Sequence, residues 1–509
     1  MDHQVSDGAD DAHGAGRTGV DDVGEVPRHA LDGVRVLDLT HQVAGPSSTL
    51  ILAFLGAEVV KVVAPGSRDS YDAIPFYLNN VSKKSVELDL KSEAGHRAAL
   101  RLAEQADVFV ENFSPGVIDR LGLGWDVLSA LNPRLIYAQV KGFAEDSPYR
   151  DYPCFDPIAQ GFSGGSSITG EPDGLPMKPG PDVGDTGTGM VLVGAILAAL
   201  YQRERDGLGQ RLQIAMTDQV ATFMRIHYGW PIQRSMDTPR FGNRPPFLVT
   251  TAPSDIYPCP PFGPSDYVHI HCGSDRQWER MAKLMGREDL LGDERFATMA
   301  SRGEHKAEID EVVCAWTGTM DKMAAMRALG EAGVPAGALR STTEVLNDAD
   351  MRARGIFVTV DDPGRGEVTV PGYPVRMSRS PAVVTPPPRP GEHTWQVLRE
   401  WLDVDTVAEA AAMPDNAPQP AAPQPDAPPP GAAQPTAAQP AAAQPAAAPP
   451  GAPPPGAAPP DIPDAAVPDA AVPERGGPGQ ATAEGTAPDP GADAPEAGST
   501  ETGTPEPAP

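Results

Sequence analysis

The chain has 509 residues, a formal charge of −29 and 59 prolines, with 21% charged and 6% aromatic residues. An acidic chain without a Lys/Arg run argues against a nucleic-acid binder, which needs a basic stripe to meet phosphates. Four cysteines (Cys154, Cys259, Cys272, Cys314) with no CxxC or Cys/His cluster argue against a zinc site or disulfide framework, so no metal is expected.

In chain order, residues 1–30 are acidic and loop-like and are expected to be a disordered tail. Alternation then begins. VRVLDL (34–39) predicts a strand, PSSTLILAFLGA (46–57) a helix with proline in its first turn, and EVVKVV (58–63) a second strand. SVELDL (85–90) precedes a helix capped at Ser92, followed by strands DVFVENF (107–113) and RLIYAQVKGF (134–143). Strands separated by helices of ten to fifteen residues imply βαβ units and a mostly parallel sheet, an α/β fold. The first strand-to-helix loop, LTHQVAGPSS, has one glycine and no GxGxxG, so a nicotinamide or flavin cofactor is not expected.

GPDVGDTGTGM (180–190) places one carboxylate, Asp185, among glycines at the mouth of an apolar helical run. The local sequence is that of an ordinary N-cap. It also suits a nucleophile, because a carboxylate with an unperturbed pKa of about 3.9 needs no general base. The two roles are compatible. Gly184, Gly187 and Gly189 would let backbone approach an acylated side chain and offer N–H donors to an oxyanion.

After residue 230 the chain turns proline-rich, with phrases such as FGNRPPF and PCPPFGPSDY. Strand YVHIHC (267–272) and several amphipathic helices follow, then strands in RGIFVTVDD and GEVTVPGYPVRMS. The expected division is a large domain from 31–229 and 326–405, with a small domain at 230–325. From residue 411 onward lie 28 of the prolines and one base, Arg475. Residues 406–509 are therefore expected to be a disordered, acidic Pro/Ala-rich tail, too poor in large apolar side chains to offset chain entropy. No signal-peptide pattern is visible, and the longest apolar run, 190–201, is too short to span a bilayer. A cytoplasmic protein without membrane contact is expected.

The phrases LDGVRVLDLTHQVAGP, FLGAEVVKV, KKSVELDLKS, ADVFVENFSPGVIDRLGLG, LNPRLIYAQVKGF, GDTGTGM, AGVPAG and GEHT occur in that order. Together they resemble the family III coenzyme A transferases (the CaiB/BaiF group, which includes formyl-CoA transferase and carnitine CoA-transferase), over nearly all of 31–405. The resemblance implies a large Rossmann-like domain with a smaller α+β domain, an interlocked homodimer, and CoA transfer from an acyl-CoA to a small carboxylic acid. It implies Asp185 as nucleophile, forming an acyl anhydride and then an aspartyl-CoA thioester. No permanently bound cofactor is implied; CoA thioesters are substrates. By position in the family motifs, CoA would meet Val43 and Ala44 after His41, then Leu88, Asp89, Leu90 and Lys91. It would also meet Asn112, Phe113 and Ser114, Arg120, and finally Lys141, Gly142, Phe143 and Ala144. Lys141 and Arg120 are the expected phosphate or pantetheine neighbours.

Three departures set the chain apart from formyl-CoA transferases. Their glutamine two residues after the loop histidine is Val43 here, with Gln42 one position early. Their arginine after the second strand is Ala64. Their glycine-run loop is replaced by PCPPFGPSDY. Formyl-CoA and oxalate are not the expected substrates. The alternatives are a racemase of the same superfamily, whose histidine position is occupied by Phe155 and so lacks a titratable group, and a non-catalytic CoA-binding scaffold.

Overall fold

A computed structural model describes residues 29–66, 72–244 and 251–413; the expected tails, beyond these limits, lie outside the described residues. Six strands form one parallel sheet: β1 (Arg35–Asp38), β2 (Glu58–Val63), β3 (Lys84–Glu87), β4 (Val108–Glu111), β5 (Ile136–Lys141) and β6 (Gln210–Ala215), in the order 3-2-1-4-5-6. The first five match the sequence expectation within a few residues. Ser92 caps the Glu93–Gln105 helix, its Oγ accepting from the Gly95 N–H at 3.0 Å.

Both faces of the sheet are covered, as parallel sheets require. Leu37, Val60, Phe109 and Tyr137 face the Glu93–Gln105 and Thr394–Leu402 helices. Val36, Val59 and Ala138 face the Ala44–Phe54 and Thr186–Asp206 helices. The order reverses between β1 and β4, because β1 sends its chain to β2 on one side while β4 leads to β5 on the other. The crevice outside the carboxyl ends of the strands at such a switch point is where open α/β sheets bind ligands.

A second core surrounds Tyr257, Trp278, Ile309 and Leu329. Its antiparallel sheet is β7 (Ser254–Pro258), β8 (Tyr267–His271) and β9 (Ala336–Ala338). Because β9 pairs with β8, this unit continues past the boundary expected at 325, which falls inside the Lys322–Glu331 helix. The strands β10 (Phe357–Asp362) and β11 (Gly366–Pro371) form a separate hairpin whose Val360 and Val370 pack with Phe54 and Tyr77. At the other boundary, Val407–Ala412 is a helix, with Ala410 packed into the core beside the Glu93–Gln105 helix. Folded structure thus extends beyond the limit expected at 405.

Candidate active site

The loops after β1 and β4 meet at the switch point. The Asn112 side chain clamps them together: its Oδ1 accepts from the His41 N–H at 2.7 Å and its Nδ2 donates to the His41 carbonyl at 2.9 Å. The His41 ring meets Phe113 edge-on, centroids 5.1 Å apart. These groups line a cleft of about 220 Å³ that Asp185 lines as well. Val43, Ala44, Asn112, Phe113, Ser114, Lys141 and Gly142 all line it. Seven of the expected contact residues are therefore brought to the expected nucleophile.

The others are distributed more widely. Asp89, Leu90 and Lys91 line an adjoining hollow that shares His41 and Phe113 with the cleft. Arg120 sits one hollow further, again with Leu90 and Lys91. Phe143 and Ala144 lie with Lys141 on its other side. Leu88, next to Asp89, is 1% exposed and its side chain packs in the core.

Lys141 lines the cleft with its charge already engaged. Its ammonium donates to both Glu111 carboxylate oxygens, at 2.7 and 3.0 Å, and to the Phe113 carbonyl at 2.8 Å. Glu111 is fully buried and also accepts from the Phe113 N–H at 2.8 Å. The pair is neutral and braces the Phe113 loop from below. Substituting Glu111 with Gln leaves the Lys141 charge uncompensated, so the midpoint of urea unfolding is expected to fall, by about 3 kcal/mol in stability.

Asp185 stands directly before the Thr186–Asp206 helix with φ −81° and ψ −72°, and its side chain makes no capping hydrogen bond. The N-cap expectation holds for its position and fails for its side chain. Burial pushes its carboxyl up, Asp156 and Asp182 push it further, and Lys178 opposes them, leaving a pKa of about 6. This revises the unperturbed value expected from sequence, although about nine-tenths remains ionised at pH 7.

The glycines around Asp185 allow close packing on their Cα side. A Cβ on Gly189 would sit 2.7 Å from the Ala44 carbonyl and 2.7 Å from Ser47 Cβ, so this glycine permits close contact with the Ala44–Phe54 helix. A Cβ on Gly187 would meet Gln219 and Phe223 at 2.9 Å, and one on Gly184 would meet Asp156 at 3.0 Å. Gly189→Val is accordingly expected to overpack this contact and lower stability by about 1–3 kcal/mol in chemical denaturation, against the usual gain from removing a helical glycine.

Several residues at the cleft escaped sequence reasoning: Arg150, Tyr152 and Cys154 line it, and Asp156 and Lys178 lie behind Asp185. Phe155 also lines the cleft, at the position where a racemase would need a titratable group. Among the described residues no group of three or more His, Cys, Asp or Glu side chains is arranged to hold a metal ion. None of the helices there is long and apolar enough to cross a membrane.

The family model for "CoA-transferase family III" matches residues 31–394. A formyl-CoA:oxalate CoA-transferase of Streptomyces avermitilis is 38% identical over 388 residues, covering 72% of this chain and 94% of that protein. One from a Bradyrhizobium species is 37% identical over 400 residues, 73% of this chain and 93% of the relative. Among solved structures, a CaiB/BaiF family protein from Brucella suis superposes with a TM-score of 0.67 at 31% identity, covering 73% of this chain and 99% of its own. Rv3272 from M. tuberculosis gives 0.63 at 33% identity, with 72% and 99% covered. A parallel 3-2-1-4-5-6 sheet, an aspartate at its switch-point cleft and these matches agree: the chain belongs to the family III CoA-transferases and is an enzyme of that family.

Proposed function

We propose that the protein moves coenzyme A from an acyl-CoA to a carboxylic acid through covalent intermediates on Asp185. The observation that carries this reading is the Asp185 carboxylate itself, uncapped, partly desolvated and facing a cleft built by the CoA-contact motifs. One Asp185 oxygen attacks the thioester carbonyl carbon, the C–S bond breaks, and CoA thiolate leaves an acyl-aspartyl anhydride. The thiolate attacks the aspartyl carbonyl carbon, releasing the donor acid and forming aspartyl-CoA. The acceptor carboxylate then attacks that carbon and expels the thiolate. The thiolate takes the acceptor acyl group and restores Asp185. Acyl activation is kept throughout, so no nucleotide hydrolysis is needed.

The three hollows give CoA a path. Lys91 and Arg120, both exposed, flank the outer hollow and would meet its phosphates. The middle hollow, walled by Leu90, Ala64 and Phe113, suits the apolar part of the cofactor, which leads the thioester to Asp185. In a strongly acidic protein such local positive charge is what admits a polyanion. The acids exchanged are small carboxylates. Relatives carry the name formyl-CoA:oxalate CoA-transferase, while Val43 replaces the expected glutamine at the reacting end of this cleft.

The reading includes a homodimer. The Thr186–Asp206 helix exposes Met190, Val191 and Tyr201, and Ile158, Phe162 and Ile232 are exposed as well. These side chains offer apolar surface that a second copy would cover. Light scattering is expected to give twice the chain mass.

Panels of formyl-, acetyl-, oxalyl- and succinyl-CoA with the matching acids, followed by chromatography of the CoA esters, test the reaction. Formation of the acceptor's CoA ester without net hydrolysis is expected; hydrolysis alone, or no new ester with any pair, contradicts it. The rate constant kcat/KM should fall on acidification with a midpoint near 6, because only ionised Asp185 attacks and its carboxyl is held up to about 6. A profile flat down to pH 5 contradicts the assignment.

A further inference from the structure

Residues 177–184 pass over the Asp156–Phe162 helix just before Asp185. Asp156 opens that helix and is 3% exposed. Its Oδ1 accepts from the backbone N–H of Gly184 at 2.8 Å and, at 3.4 Å, from that of Asp185. Its Oδ2 accepts from Gln160 Nε2 at 2.6 Å and lies 3.2 Å from Lys178 Nζ. Lys178 Nζ is also 3.0 Å from Asp182 and donates to the Gly180 carbonyl at 3.3 Å. One ammonium thus joins the strap to the carboxylate that holds the backbone of the nucleophile. The fit is tight, since a Cβ on Gly184 would lie 3.0 Å from Asp156 Oδ1.

The charge pattern around Asp185 has one adjustable member. Asp156 on its helix and Asp182 on the strap repel the Asp185 carboxylate, and Lys178 attracts it. From the loop before the Asp156–Phe162 helix the cleft receives the Cys154 thiol, the Tyr152 phenol and Arg150. Arg150 is exposed beside Asp151, and burial first, then Asp185, pushes the Cys154 thiol up to about 11, so it stays neutral. From the sheet come the His41 ring and Lys141, the latter neutralised by Glu111. From the Met216–Phe223 helix, Asp218 is exposed and lines a different hollow.

We propose that Lys178 is a positioning residue for the reaction: through Asp156 it holds the backbone of Gly184 and Asp185 in place, and it supplies the counter-charge that offsets Asp156 and Asp182 beside the nucleophile. The inference rests on Asp185 being the nucleophile. Its chemical consequence follows from charge. Asp185 loses its negative charge when acylated, which relieves its repulsion with Asp156 and Asp182 and favours the anhydride. In the free enzyme the same repulsion favours protonation, which stops attack. Lys178 sets the balance between the two.

The test needs no substrate. Infrared difference titration of the full-length protein, wild type minus Asp185→Asn, isolates the carboxyl band of residue 185 and gives its midpoint. The same difference taken in a Lys178→Met background is expected to move the midpoint upward by about one pH unit, and Lys178→Arg is expected to restore it. Asp182→Asn, an exposed change that disturbs no packing, is expected to move it down and keeps the question open should Lys178→Met fail to fold. A midpoint unchanged in every folded variant overturns the proposal. If the midpoints shift as expected yet Asp185 never becomes acylated, the electrostatic role stands and the transferase reading fails.

Discussion

Asp185→Asn is expected to abolish CoA transfer, lowering kcat by at least about a thousandfold, roughly 4 kcal/mol of barrier, while the protein stays folded. The amide presents no ionised oxygen to the thioester, and no second carboxylate takes its place: Asp156 is buried and held by Gly184, Gln160 and Lys178. Stability should hold or rise slightly, because the side chain caps nothing and its charge faces two other carboxylates. This pairing of outcomes separates the two readings of the residue. A working N-cap would keep its activity on replacement by asparagine, itself a good cap, and would lose about 1 kcal/mol in thermal unfolding only on Asp185→Ala. Initial rates and melting curves on the same preparation decide between them.

The largest expected effect on folding comes from Asp38→Ala. Asp38 ends β1 fully buried, next to two buried lysines. Lys83 Nζ lies 3.0 Å from Oδ2, and Lys61, its register partner on β2, lies 3.8 Å from Oδ1. The carboxylate also accepts from the Thr40 N–H and hydroxyl at 2.8 and 2.6 Å and from the Thr49 hydroxyl at 2.6 Å. Burial alone would raise this carboxyl; the Lys61 and Lys83 ammoniums and the Thr40 and Thr49 hydroxyls outweigh it and hold it well below the usual carboxylate range. Removing the acid leaves two buried cations with no counter-charge, a loss of about 3–5 kcal/mol. Since the folded-state carboxyl is held low, its contribution is complete above the unfolded value near 4 and is lost as pH falls below it. Equilibrium unfolding at pH 7 should show the full deficit, and the gap between variant and wild type should narrow towards pH 2. The variant should also lose activity, because Thr40 leads directly into the His41 loop and Lys83 donates to the Pro46 carbonyl at the start of the next helix, at 3.2 Å.

The fold was legible where a strand is buried on both faces. EVVKVV reads as a strand because its residues are almost all inside. β6, QRLQIA, escaped notice because it is an edge strand with alternate residues exposed, a weaker signal next to a long helix. Asp185 was legible from its setting, an acid without a base partner at the mouth of an apolar run. What surrounds it was not, because it depends on pairings between distant segments. Glu111 meets Lys141 only because β4 and β5 pair with Glu111 opposite Gln139. Nothing in VKGF announces that its lysine is already neutralised. Asp156 and Lys178 belong to loop-rich segments without periodicity, and their meeting depends on how 177–184 lies over a short helix. Glycine signals close approach, and only the packing shows that the Ala44–Phe54 helix approaches at Gly189.

Covalent trapping tests the central claim most directly. Full-length protein is mixed with the acyl-CoA panel, quenched with hydroxylamine, and the peptide containing Asp185 is sequenced by mass spectrometry. A hydroxamate on Asp185, formed with a productive donor and absent without one, is the predicted result. Turnover of a donor with Asp185 unmodified, or a hydroxamate on any other residue, would contradict the account.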